Sequence, residues 1–159
     1  MTPAPNDVRP FSALDDVDRA ILGKLAADGR LPNNALAERV GVAPSTCLAR
    51  TRALRESGAI RGFHAEIDPA ALGLPLQALV SVRLTAHERP AVDAFRGRSV
   101  LLPGVVSVFH VAGADDYVLH VRAASADALR DFVLDHLAVD PAVQHTQTSL
   151  IFEQARGVG

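Results

Sequence analysis

The chain has 159 residues, 48% of them hydrophobic and only 4% aromatic, a length and composition that allow one or two domains with Leu, Val and Ala cores. No apolar run approaches the ~18 residues of a membrane span and no leader-like segment opens the chain, so a soluble, cytoplasmic protein without a membrane partner is expected. The formal net charge of −2 is unevenly divided: residues 1–64 hold nine Lys/Arg against seven Asp/Glu, and residues 65–159 seven against eleven, which suits a nucleic-acid module joined to an acidic partner domain.

Residues 1–12 contain three prolines and few apolar side chains and read as a flexible arm. From Leu14 the spacing turns helical, with Leu14, Val17, Ile21 and Leu25 on one stripe, Asp15 as N-cap, Asp18 three positions on and Gly29 as the stop. A short second helix is capped by Asn33 or Asn34, packs Leu36, Ala37 and Val40 inward, and ends at Gly41. A third follows after Gly41, Val42 and Ala43, with Pro44 in its first turn, Leu48, Thr51 and Leu54 facing inward, and Gly58 closing it. Beyond Gly58, residues 60–67 alternate with period two and predict a wing strand, which Asp68 and Pro69 terminate. Residues 65–75 are therefore strand end and hinge, between a helical domain over 13–64 and a second domain over 76–154.

The second domain predicts strand, helix, strand, strand, helix, strand over 76–85, 90–101, 105–111, 117–123, 126–138 and 143–153. That order specifies an α+β fold, a ferredoxin-like βαββαβ sandwich with both helices on one face of an antiparallel sheet. An uncovered apolar sheet face then calls for a second copy, so a homodimer is expected.

Two short helices joined through Gly41, the second starting at a proline, have the spacing of a helix-turn-helix in which the second helix enters a major groove of double-stranded DNA. Removing the inner stripe leaves Pro44, Ser45, Thr46, Ala49, Arg50 and Ala53 outward with Arg52 and Arg55 on the flanks. Short hydroxyls suit base edges or phosphates, Arg50 suits a guanine edge or a phosphate, and Arg61 on the wing adds a phosphate contact. Cys47, the single cysteine, excludes an intramolecular disulfide and reads as a small half-buried residue of the third helix. Of the six histidines, only His110 and His120 fall on neighbouring strands, where they face each other without a third ligand, so no metal is expected. No cofactor loop, activated nucleophile or carboxylate pair supports an enzyme. The competing reading is a ferredoxin-like metabolite carrier or enzyme whose helical part serves only dimerisation.

Residues 14–153 resemble the Lrp/AsnC (feast/famine) regulators. The resemblance rests on Leu14-Asp15-x-x-Asp18-x-x-Ile21-Leu22, Gly29-Arg30, Leu36-Ala37-Glu38-x-Val40-Gly41, Pro44-Ser45-Thr46-Cys47-Leu48, Arg50-x-Arg52-x-Leu54, Gly58-x-Ile60 and Gly113-Ala114-Asp115-Asp116-Tyr117. The chain departs from that family's pattern at Ala43, usually Ser or Thr, and at Ala49, often charged, which implies a site preference of its own. The resemblance implies a dimer that assembles further into tetramers or octamers and answers to an amino acid or related metabolite.

Taken alone, the 113–117 segment is a hairpin turn, with Gly113 permissive, Asp115 and Asp116 capping and Tyr117 starting a packed strand. An amino acid needs an acceptor for its ammonium and amides or a hydroxyl for its carboxylate. The resemblance places the effector pocket at an interface between domains, near Gly113 and Asp116, with contributions from Ala78 and Ser149 and with Asp115 and Thr148 as neighbours.

Overall fold

The computed structural model describes residues 14–86 and 88–155, so the expected arm over 1–12 lies outside the described residues. The chain divides into two compact units after Glu66, each with its own apolar cluster.

The first unit is three helices, α1 (Asp16–Ala27), α2 (Asn33–Val40) and α3 (Pro44–Glu56). Asp15 caps α1 and forms a capping box with Asp18, satisfying amide groups that the helix start leaves open. Gly41 ends α2 at φ +72°, a left-handed conformation that other residues reach only at a cost. The following Val42 packs against the cluster of Ile21, Leu36, Ala37, Cys47 and Leu54. Both features match the turn expected from the sequence.

Three expectations are corrected here. The N-cap of α2 is Pro32, without a side-chain bond; Asn33 instead donates its Nδ2 to the Pro44 carbonyl at 2.9 Å, tying the first residue of α2 to that of α3. The inner stripe of α3 keeps Thr51 and Leu54 but takes in Cys47 in place of Leu48: Cys47 is fully buried, whereas Leu48 is 41% exposed. Cys47 and Leu54 are seven residues apart, two helical turns, so both lie on the inward face. The wing strand is absent among the described residues: residues 60–67 belong to no strand, and the one sheet found lies wholly in the second unit. Alternation of side chains without a ladder partner does not make a strand.

A 3-10 turn, Pro69–Leu72, capped by Asp68, leads into the second unit. Its elements are β1 (Leu76–Leu84), α4 (Arg89–Ser99), β2 (Val105–His110), β3 (Tyr117–Ala123), α5 (Ala126–Phe132), which continues as the π-helical turn Val133–Ala138, and β4 (Val143–Leu150). The order β2-β3-β1-β4, with every pairing antiparallel, is that of the expected sandwich. Alternation sends Ala78, Val80, Val82 and Leu84 of β1 and Tyr117, Leu119, Val121 and Ala123 of β3 into one core with Phe95, Leu129, Phe132 and Leu137, the period-two rule applied to a sheet covered on one side. Tyr117 stands at its centre: its ring lies 5.1 Å from that of Phe95, its hydroxyl donates to the Val92 carbonyl at 2.9 Å, and burial raises its pKa.

The other face of the sheet is mixed. Leu79 and Phe109 are exposed there, but the register sets them among Gln77, Ser81, Arg83, His120, Arg122 and Ser149. His110 and His120 do not meet. His110 stacks on Tyr117 with centroids 4.8 Å apart, while His120 sits opposite Ser107 and bonds Gln77 at 2.9 Å; they differ by one odd step in register and so occupy opposite faces.

Candidate nucleic-acid interface and effector residues

The outward side of α3 begins at an end without a side-chain cap, Ala43 being the N-cap residue. Pro44, Ser45, Thr46, Ala49, Arg52, Ala53 and Arg55 are all exposed. Arg52, Arg55 and Arg61 line one groove with Glu56, Ile60 and Gly62, so three arginines border the place where α3 ends. Small residues near the start of the helix and cations at its end suit close approach to base edges and contacts to phosphates, respectively.

Arg50 is placed differently. Its Nη1 lies 2.6 Å from Asp15 Oδ2 and 3.0 Å from Asp18 Oδ1, so the side chain runs back toward α1. The amide of Asp18 and then the Arg50 guanidinium lower the pKa of Asp15, and the two carboxylates raise that of Arg50. The sequence reading took Asp15 and Asp18 as caps of α1 and missed this second use. Their three-residue spacing, which puts both at the start of one helix, was the available signal.

In the second unit the hairpin joining β2 to β3 is tied to β1. The Val111 amide donates to the Asp116 carbonyl, Arg83 donates its Nε to the Ala114 carbonyl at 2.7 Å and lies 3.6 Å from Asp115, and Asp116 Oδ2 accepts the Leu84 amide at 2.8 Å. Gly113 is exposed at the tip.

The remaining effector candidates lie elsewhere. Ala78 is fully buried in the core. Ser149 pairs with Leu79 and Thr148 with Val80, so Ser149 faces the open side of the sheet, while Thr148 faces the helices and borders a groove with Leu129, Arg130 and Leu134. Leu79 and Leu84, which mark the two ends, are five residues apart along β1, or roughly 17 Å. One protomer therefore brings Gly113, Asp115 and Asp116 together but not with Ser149, and it removes Ala78 from reach. Among the described residues no group of three His, Cys, Asp or Glu is placed to hold a metal ion, and no helix is long and apolar enough to cross a membrane.

Residues 14–55 match the family model of the AsnC-type helix-turn-helix domain, and residues 77–156 match that of the Lrp/AsnC ligand binding domain. The chain belongs to the Lrp/AsnC family. Among its relatives is the HTH-type transcriptional regulator AldR of Mycolicibacterium smegmatis, 51% identical over 154 residues, spanning 97% of this chain and 90% of that protein. AldR of Mycobacterium tuberculosis is 52% identical over 151 residues, 95% of this chain and 84% of that one. The crystal structure of MtbAldR superposes with a TM-score of 0.81 at 47% identity, covering 94% of this chain and 99% of that chain. The transcriptional regulator NMB0573 of Neisseria meningitidis, solved as its L-Met complex, gives a TM-score of 0.83 at 34% identity, with 91% and 94% covered. An Lrp/AsnC protein is a transcriptional regulator, and both domain types of the family are present here in the expected order.

Proposed function

We propose that this protein is a sequence-specific DNA-binding transcriptional regulator whose binding or assembly state responds to an amino acid or related metabolite. The observation that carries the reading is the exposed side of α3: Ser45, Thr46 and Ala49 at its start, and Arg52 and Arg55 beside Arg61 at its end. The start of the helix reads bases while the arginines hold phosphates and fix register. The AsnC-type match over 14–55 favours this reading over a metabolite carrier or enzyme with a helical dimerisation aid.

Two protomers present their α3 helices to major grooves one helical turn, ~34 Å, apart. Leu79 and Phe109, exposed on the open sheet face, support pairing there, and higher assembly follows the family pattern. The effector pocket is completed between protomers, with Gly113, Asp115 and Asp116 from one and Ser149 from another. A cytoplasmic location suits this role.

Fluorescence anisotropy on a duplex enriched from a random library by the wild-type protein tests the DNA reading. Affinity is expected to fall steeply with salt, because each phosphate contact releases counterions and contributes ~0.9 to the slope of log K against log[salt]. Absent or salt-insensitive binding by folded, dimeric protein overturns it.

A further inference from the structure

The geometry points to Arg50 as a positioning residue rather than a DNA contact: with Asp15 and Asp18 it forms an ionic latch that fixes the rotation of α3, and thereby which side chains α3 offers to DNA. The inference rests on the DNA-binding reading.

Each carboxylate of the latch divides its oxygens between two tasks. Asp15 Oδ1 accepts the Asp18 amide at 2.9 Å and its Oδ2 accepts Arg50 Nη1 at 2.6 Å. Asp18 Oδ2 accepts the Asp15 amide at 3.4 Å and its Oδ1 accepts the same Nη1 at 3.0 Å. The group that starts α1 is thus also the anchor for the middle of α3. A single guanidinium nitrogen held between two carboxylates, themselves fixed by backbone bonds, is confined far more than an arginine paired with one mobile partner.

The apolar grip on α3 is too slight to do this alone. Its buried residues are Cys47 and Leu54, the first a small side chain, and Thr51 between them has a buried Oγ1 without a hydrogen-bond partner. Arg50 lies on the same side, three residues from Cys47 and four from Leu54. Its side chain is 35% exposed and that of Asp18 17%. Rotating α3 by one residue position, about 100°, replaces the outward set of Ser45, Thr46, Ala49 and Arg52. An anchor midway along the helix is what opposes that rotation.

An ionic latch beside a DNA-binding face makes an unusual prediction. Asp15 and Asp18 are negative charges on a unit that approaches phosphates, so removing them strengthens DNA binding if charge is all that matters. The latch predicts the reverse. Asn is as good an N-cap as Asp, so the Asp15→Asn/Asp18→Asn double variant keeps α1 capped while removing both ionic partners of Arg50.

The test uses the full chain, the library-enriched duplex and a random-sequence duplex, read by anisotropy across a salt series beside a melting curve for each variant. Arg50→Gln and Asp15→Asn/Asp18→Asn are each expected to weaken binding to the enriched duplex about tenfold while leaving the random duplex within about twofold. Arg50→Gln is expected to leave the salt slope unchanged. A slope lower by ~0.9 with both duplexes weakened alike identifies Arg50 as a phosphate contact and overturns the inference. Tighter or unchanged binding by the aspartate double variant overturns it too, as does a loss of melting temperature with both affinities intact. Wild-type protein that binds neither duplex refutes the DNA-binding reading itself, a distinct outcome. If Arg50→Gln does not fold, the aspartate variant, with its caps preserved, still decides.

Discussion

Asp116 and Leu84 are joined by a carboxylate-to-amide hydrogen bond of 2.8 Å, while the Asp116 amide donates to the Val82 carbonyl at 3.0 Å; the hairpin that carries the effector candidates is fastened to the end of β1 by the residue expected to bind the effector. Asp116→Ala should therefore cost about 1–2 kcal/mol of stability without any ligand, the worth of a partly exposed charged hydrogen bond. Thermal shift with each amino acid then separates the two roles. The melting-temperature increment that an amino acid gives the wild type is expected to vanish in Asp116→Ala; an undiminished increment means that the carboxylate serves the hairpin alone.

Gly104 precedes β2 at φ +78°, and a Cβ there would collide with the backbone oxygen of Arg122, whose amide donates to the Gly104 carbonyl at 2.8 Å. Both partners are backbone and neither can swing aside. Gly104→Ala should destabilise the second unit by about 3 kcal/mol, a drop of roughly 10 °C or more in its melting temperature. A loss below ~1 kcal/mol by denaturant titration would contradict this placement.

Thr51 has a buried Oγ1 with no hydrogen-bond partner. Exchanging the hydroxyl for a methyl of similar size removes an unsatisfied polar atom and keeps the β-branched shape, so Thr51→Val should be neutral or stabilising by up to ~1 kcal/mol. Thr51→Ser, which keeps the hydroxyl and deletes the methyl, should instead destabilise by about 1 kcal/mol. Paired urea titrations check the opposite signs.

His120 has a lowered pKa, because burial and then the nearby Arg122 disfavour its charged form. The unfolded chain, with a pKa near 6.5, then binds the proton more tightly than the native one. This contribution to stability is complete above ~pH 6.5 and declines as the pH falls through that value toward the folded pKa, below which it levels off. Stability measured between pH 7.5 and 5 should decline less in His120→Gln than in the wild type; identical profiles would show that the imidazole is not held neutral.

How far the sequence foretold these features depended on the range of the interaction involved. The second unit was readable almost to the residue, since strands with one buried face write a period of two and its loops carry Gly and Pro. The turn at Gly41 was equally plain. What failed depended on partners far along the chain. Residues 60–67 alternate like a strand, yet pairing belongs to two segments and the second cannot be read from the first. Leu48 was expected inside with Thr51 and Leu54, but the face that α3 turns inward depends on what it meets on α1 and α2, which the spacing within α3 does not show. The Arg50 pairing has the same range: its carboxylate partners stand 35 and 32 positions earlier, too far along the chain to be read from α3. The effector residues were those the resemblance implied, and it is the strand register that keeps Ser149, opposite Leu79, apart from the hairpin within one protomer.

The strand order β2-β3-β1-β4 also governs how the two units form during synthesis. The apolar cluster that joins the three helices is drawn from residues 14–60, so they can close soon after residue 60 leaves the ribosome. β1 appears next, but both of its partners, β3 and β4, are late. Until residue 150 emerges its β4 side is open, a bare edge of the kind that recruits other chains. The helix-turn-helix unit is therefore ready early, and the sheet is complete only when the final strand arrives.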